Sequence, residues 1–477
     1  MARLDMGDML PKEAISQRIT GDTQFMFQFY KPCIHYFEPS SLISTMNEPR
    51  LRQSLKVALQ TCPLLFSRFV VQPDLSVTLD YSPANPNLPT LEFAHSRLTF
   101  REVRSNNFAY AFAQTHKLDM PIPDGTIKRS MDTPMLMAKV TYMSDGGIAM
   151  FSMTNHVAFD GSAMFHFLAH WAKCCRAIGT HTTVARPAEL EPYAVSLVAH
   201  TDSDPECGPQ EISVDATRTP QQLMLANTKS VSELQACVFS ISLANVQRLK
   251  KQTEQSGVLD NDEWVSSNNA VAAFVCQCVA RANTDAQVYE AQDWTFFQSL
   301  DMRHPLGLPT GGLGSPLILA ECSVPLAAIY EPAQLPEITR TIRQCVNKYD
   351  KTYCQEAMDW MNSSYACLAK TVGEPWRHFW FTALNTNRTA VGVSCMNRIP
   401  IYDVDFGAGR PVMARSFNPR PNYIIVFPGP PAMTARYAAM PMAYDSLHLY
   451  VTLEKPAMEA LRSDKEWCRM CSVVSEF

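Results

Sequence analysis

The chain has 477 residues, 46 % of them hydrophobic and 18 % charged, and a formal net charge of -5. That length exceeds one ordinary core and predicts two domains, while the composition excludes a disordered or fibrous chain. No basic stripe stands out, which argues against a nucleic-acid partner, and no segment reaches the roughly 18 to 20 continuous apolar residues of a membrane helix.

The opening, MARLDMGDMLPKEA, has no apolar signal core, so the chain reads as cytoplasmic. Its 15 cysteines are scattered, and several fall inside helical patterns (Cys174, Cys175, Cys276, Cys278). They read as buried, reduced thiols. Cys468 and Cys471 form a C-x-x-C with no second pair, which speaks against a metal or redox role.

In chain order, FMFQFYKPCIHYF alternates like a strand with a proline-marked irregularity. LRQSLKVALQTCPLLFSRF follows; Leu51, Leu55, Ala58 and Leu59 make one apolar helical face, and Pro63 stops the helix. LEFAH reads as a strand, and AKVTYMSDGGIAMFSM as a hairpin. SAMFHFLAHWAKCCRA reads as a helix. From about residue 177 to 233 the pattern decays into polar sequence rich in Pro, Asp and Thr, the best linker in the chain and too long for an ordinary connection. The second half restarts with the strand ACVFSISL, then the polar helix LANVQRLKKQTEQ. VSSNNAVAAFVCQCVARAN is a helix capped by Ser267 or a neighbour. DWTFFQSLDM, PLILAECSV, TAVGVSCM, YIIVFP and LHLYVTL read as strands, and a last helix begins near Pro456. The class is mixed α/β in two halves, with no internal repeat.

TNHVAFDGSAMF, Thr154 to Phe165, carries the chemistry. His156 and Asp160 fall where a buried strand hands over to a helix. An isolated histidine there is ordinarily a satisfied core residue. A strand end followed by a tight turn also holds a side chain rigidly toward a cavity. A neutral imidazole in such a place accepts a proton near pH 7. Asp160 has three possible jobs: capping the helix, orienting the imidazole, or pairing with a distant arginine. Other catalytic readings are weaker. The sequence has no G-x-S-x-G elbow, P-loop or G-x-G-x-x-G. His166 and His170 have a metal-compatible i, i+4 spacing, but Phe167 follows where a zinc protease has Glu, and no third ligand suggests itself.

NHVAFDG, Asn155 to Gly161, resembles the H-x-x-x-D-G signature of the BAHD superfamily of CoA-dependent acyltransferases. PIYDVDFGAGRPV, Pro400 to Val412, resembles that family's D-F-G-W-G and its upstream P-x-Y. SLKVALQTCPLLFSRF, SSNNAVAAFVCQCVARAN, SLDMRHPLGLPTGGLGSPL and DSLHLYVTL resemble further family segments in the same order, so the similarity runs through nearly the whole chain. The irregular loops look closest to fungal secondary-metabolite members of trichothecene O-acetyltransferase type.

The resemblance implies two similar mixed-sheet domains of chloramphenicol-acetyltransferase-like type, at 1–180 and 234–477, joined by a crossover at 181–233. The active-site channel would lie between them. It implies acyl transfer from acyl-CoA, a co-substrate with no resident cofactor, to a hydroxyl of a hydrophobic metabolite, with an amine as second choice. His156 would be the general base, without a covalent acyl-enzyme. Ser394, in the run Ser394-Cys395-Met396, would be the oxyanion donor, and Asp160 would pair with Arg303 of the D-x-R segment. Gly161 would leave room beside the channel. Asp405, Phe406, Gly407 and Gly409 would form a structural loop. Ala408 and Met396 stand where the resemblance implies tryptophans, two departures that would alter walls near the site or its supporting shell. Ser266 and Ser267, at a helix N-terminus, would face the CoA phosphates, helped by Lys250 and Lys251. Two joined halves imply a functional monomer. The same channel would also admit a CoA-independent cyclisation or condensation, or mere binding of a metabolite. Condensation domains of peptide synthetases share the fold, but place a second histidine where Asn155 stands.

Overall fold

Two mixed sheets face one another through a shared apolar layer. The structure is a computed structural model, and it describes residues 3–18, 30–40, 43–72, 77–121, 133–178, 180, 182–185, 187–190, 212–214, 234–283, 293–371, 379–381, 390–416, 420–431 and 444–476. The first sheet has the order Met413–Ser416, Tyr30–Phe37, Ile148–Asn155, Leu136–Tyr142, Thr90–His95. Only the last strand runs parallel to its neighbour. The second sheet has the order Leu317–Pro325, Asp293–Asp301, Ala390–Cys395, Tyr423–Pro428, Ser446–Glu454, Leu234–Ser242, Cys471–Glu476.

The period of two sorts the side chains. In strand Tyr30–Phe37, Ile34 and Tyr36 pack on the short helices Phe100–Ser105 and Tyr110–Thr115. Cys33 and Phe37 face the other way, toward helices Glu48–Gln60 and Gly161–Ala177. In the second sheet, Val391, Val393, Ile424 and Val426 pack on helices Leu243–Glu254, Ser267–Asn283 and Lys455–Ser463. Phe297, Ile425, Phe427 and Tyr450 point into the same apolar cluster as the helix Gly161–Ala177. This shared cluster is the seam between the halves, and the turn carrying His156 lies on it.

The helices begin as their sequences dictate. Asn47, Asp160 and Ser242 each accept a hydrogen bond from the backbone three residues on, satisfying one of the donors a helix start leaves open. The helix expected from LRQSLKVALQ ends at Gln60, before Pro63 opens a 3-10 turn. The helix expected near Pro456 is Lys455–Ser463. It is not the last element: a short helix, Lys465–Met470, and a strand, Cys471–Glu476, follow and pair along Leu234–Ser242. That strand sits at an edge with Val473 exposed, so its alternation is too weak to announce itself.

Met413–Ser416 crosses the expected division at 1–180 and 234–477. It leaves the second half and adds an antiparallel edge to the first sheet. The linker expected at 181–233 falls mostly outside the described residues; its Ile212–Val214 pairs with Phe379–Phe381. Among the described residues, no helix is long and apolar enough to cross a membrane.

Candidate active site

Ile148–Asn155 is buried along its whole length between two partner strands. At its end the chain turns within five residues. Asn155 Oδ1 accepts from Val157 N at 2.9 Å and the Asn155 carbonyl from Phe159 N at 3.1 Å, so an asparagine-initiated turn sets the direction of His156. His156 is only 5 % exposed.

The second half of the chain fixes the far side of this turn. Phe159 bridges Gly314 in parallel: Gly314 N donates to the Ala158 carbonyl at 2.8 Å, and Asp160 N donates to the Gly314 carbonyl at 3.1 Å. Arg303 Nη1 meets Asp160 Oδ2 at 2.5 Å, with both side chains almost fully buried. The same guanidinium donates to the carbonyls of Gly312 at 2.7 Å and Gly314 at 3.1 Å, and to Asp301 Oδ1 at 3.1 Å. Asp160 Oδ1 accepts from Ala163 N at 2.9 Å. Two of the three jobs open to Asp160 are therefore filled together: it caps the helix and pairs with Arg303. The imidazole meets a different residue, with Ser315 Oγ at 3.1 Å from His156 Nδ1. Ser315 lies in the quoted segment SLDMRHPLGLPTGGLGSPL but carries no motif of its own. Only the parallel bridge brings it to His156.

Burial, followed by the positive charges of Lys31 and Arg420, holds the His156 imidazole well below its usual value, and a hydrogen bond to its own main-chain carbonyl offsets only part of this. The ring is therefore neutral at pH 7. Activity that requires neutral His156 should have an acid limb in kcat/KM well under pH 6.5, and Lys31→Met, which removes a cation, should move that limb upward. A limb at or above 6.5 in the wild type would contradict this environment. His35 and His448 are also buried and neutral, lowered to about 4 and about 3. All three imidazoles take up protons on unfolding, so stability drains as pH falls below the unfolded value near 6.5. Initial rates, read before unfolding, separate the two effects.

Met396 lies against the helix start. A Cβ added at Gly161 would come within 2.0 Å of Met396 Cε and 3.3 Å of Ile399 Cδ1. The bare glycine thus leaves room for the Met396 side chain. Gly161→Ala is expected to cost about 1 kcal/mol, at the low end for overpacking because the displaced atom ends a flexible chain. Melting curves of Gly161→Ala, Met396→Ala and the double variant should be non-additive; strict additivity would reject the overlap.

Ser394 alternates with Val391 and Val393 and shares the seam-facing side of its strand with Gly392, whose Cα packs under Phe297 and Tyr423. Ser394 is half-buried. In the DFGAG loop, Asp405 Oδ1 accepts from Gly407 N at 2.7 Å and Gly409 N at 3.0 Å, and both glycines have positive φ, 104° and 90°. Phe406 packs edge-on against Trp171 at 5.1 Å and Phe37 at 6.2 Å, and Ala408 is buried in the same apolar cluster.

Ser266, rather than Ser267, caps its helix: its N–H and hydroxyl donate to Asn269 Oδ1 at 2.9 and 2.6 Å, and Asn269 N donates back to Ser266 Oγ at 3.1 Å. The cap therefore occupies the hydroxyl expected to face CoA. Lys250 pairs with Glu254 on the solvent side of its helix, and Lys251 is exposed. His166 and His170 hydrogen-bond to the Ser162 carbonyl at 2.8 Å and to Thr61 Oγ1 at 3.0 Å.

The Transferase family profile matches residues 19–468. Hydroxycinnamoyltransferase 2 of Oryza sativa subsp. japonica is 26 % identical over 312 residues, 63 % of this chain and 64 % of that protein's length. A hydroxycinnamoyl-CoA:5-hydroxyanthranilate N-hydroxycinnamoyltransferase of Avena sativa is 23 % identical, covering 81 % and 82 % of the two chains. Among solved structures, F. sporotrichioides TRI101 complexed with coenzyme A and T-2 superposes with a TM-score of 0.67 at 16 % identity, covering 97 % of this chain and 100 % of that one. The two-sheet architecture is thus that of the two-domain acyltransferases, and the chain belongs to the Transferase family of BAHD acyltransferases.

Proposed function

We propose that the protein transfers an acyl group from acyl-CoA to a hydroxyl of a small-molecule acceptor in the seam between the two sheets, with His156 as general base. The carrying observation is the fixed, neutral imidazole at the seam, pinned at Nδ1 by Ser315 and positioned through Asp160 and Arg303. With Nδ1 turned to Ser315, Nε2 is the nitrogen left for the acceptor. It takes the hydroxyl proton as the oxygen attacks the thioester carbonyl. The tetrahedral oxyanion is stabilised by a donor, for which Ser394 is the candidate; one such donor is worth roughly 3 kcal/mol. Collapse breaks the C–S bond, and His156 returns the proton to the departing thiolate. No acyl-enzyme forms.

Asp160, Gly161 and Arg303 support this site, as does the loop of Asp405, Phe406, Gly407 and Gly409. CoA is a co-substrate, a reading supported by the complex of TRI101 with coenzyme A. The main-chain N–H groups after Ser266 and Ser267 remain the candidate contact for its phosphates. The Avena relative's name specifies an amine acceptor, so amines belong in the assay beside alcohols. The test is release of free thiol from acetyl-CoA with a panel of hydroxylated acceptors and amines. Release that depends on acceptor and vanishes in His156→Gln supports the proposal; turnover without CoA, or binding without turnover, rejects it.

A further inference from the structure

We infer that Lys31 and Thr154 form a subsite beside His156 for a carboxylate carried by one of the two substrates. The inference rests on the proposed function and adds a substrate class to it. Its basis is the register of two central strands. Lys31 stands opposite Thr154, one residue before the Asn155–His156 turn, and cross-strand partners project from the same face. That face is the one on which Cys33 and Phe37 meet the seam cluster.

Three polar groups on it lack the partners their burial demands. Thr154 is fully buried and its Oγ1 has no hydrogen-bond partner among the described residues. Ser152 Oγ, the next residue on that face of the strand, is in the same condition. Lys31 is half-buried and makes no ion pair among the described residues. Asp160 is the acid whose charge acts on it, but that carboxylate is committed to Arg303 and to the helix cap. Arg420 adds a second positive charge felt at His156. Buried polar groups are ordinarily hydrogen-bonded, and a partly buried cation is expensive without an anion. An ammonium beside free hydroxyls suits a carboxylate oxygen, the ammonium as point charge and the hydroxyls as donors. Burial lowers the Lys31 ammonium to about 8, so it is largely charged at pH 7.

The carboxylate could come from the acceptor or from the far end of the acyl chain, and two substrate pairs separate these sources. One pair is 4-hydroxybenzoate against its methyl ester, with acetyl-CoA. The other is malonyl-CoA against acetyl-CoA, with a neutral alcohol. In wild type, the acid member of one pair should be preferred in kcat/KM by roughly 10- to 100-fold, the worth of a charge-assisted hydrogen bond. The ratio should collapse toward one in Lys31→Met, fall partway in Thr154→Val and persist in Lys31→Arg. Equilibrium binding of the same four compounds is measured alongside. If His156 variants keep full turnover, the proposed function fails, and the binding ratios alone then decide the subsite. No acid preference in wild type, or an equal loss for acid and neutral members in Lys31→Met, overturns the inference.

Discussion

His156→Ala should lower the kcat/KM for thiol release roughly 10²- to 10⁴-fold, the range for loss of a positioned general base. KM for acyl-CoA should change far less, because in this mechanism the imidazole handles protons and does not anchor the thioester. The side chain is 5 % exposed and makes one hydrogen bond to another side chain, at Ser315. His156→Gln, close in size and still able to hydrogen-bond Ser315, should melt near wild type while sharing the loss of turnover. That pair of variants separates chemistry from folding. Rates within tenfold of wild type in both would remove His156 from the reaction.

Arg303→Met should be the most damaging change to stability. It leaves the Asp160 carboxylate buried at 2 % exposure without its cation, and breaking such a pair costs about 3–5 kcal/mol. It also strips the donors from the carbonyls of Gly312 and Gly314, which hold the loop carrying Ser315 against the His156 turn. The denaturant midpoint and kcat should therefore fall together. Asp160→Asn should be milder, because asparagine also caps helices and Arg303 retains Asp301 and both carbonyls. If Asp160→Asn proves as harmful as Arg303→Met, or Arg303→Met costs under about 1 kcal/mol, the pair is not the clamp its geometry indicates.

The parts of this site written in local patterns were legible in the sequence. The hairpin read from AKVTYMSDGGIAMFSM corresponds to the strands Leu136–Tyr142 and Ile148–Asn155, and the helix read from SAMFHFLAHWAKCCRA to Gly161–Ala177. The turn between them was legible from its residues, but the role of Asp160 was not. Capping and ion pairing use the same carboxylate, and only the family resemblance named Arg303, 143 residues away. Ser315 escaped because a serine after a glycine-rich loop looks like any turn serine. Its meaning comes from a bridge between Phe159 and Gly314 that no window of sequence contains. Lys31 escaped for a related reason. In a strand it reads as solvent-facing, and only the register with Thr154 turns it inward. Four-residue strands such as Met413–Ser416 are too short for periodicity to declare.

The strand Met413–Ser416 dictates when the first sheet can be completed. The Ser416 hydroxyl reaches the Pro32 carbonyl across 384 residues. On a ribosome adding about 5–20 residues per second, the flank of Tyr30–Phe37 waits roughly 20–80 s for its mate. During that wait a nascent chain shows an open β-edge, the kind of surface that recruits strangers. A gene cut between the lobes would yield a first piece bearing that scar permanently, so the two lobes should be recoverable only when translated together or co-expressed.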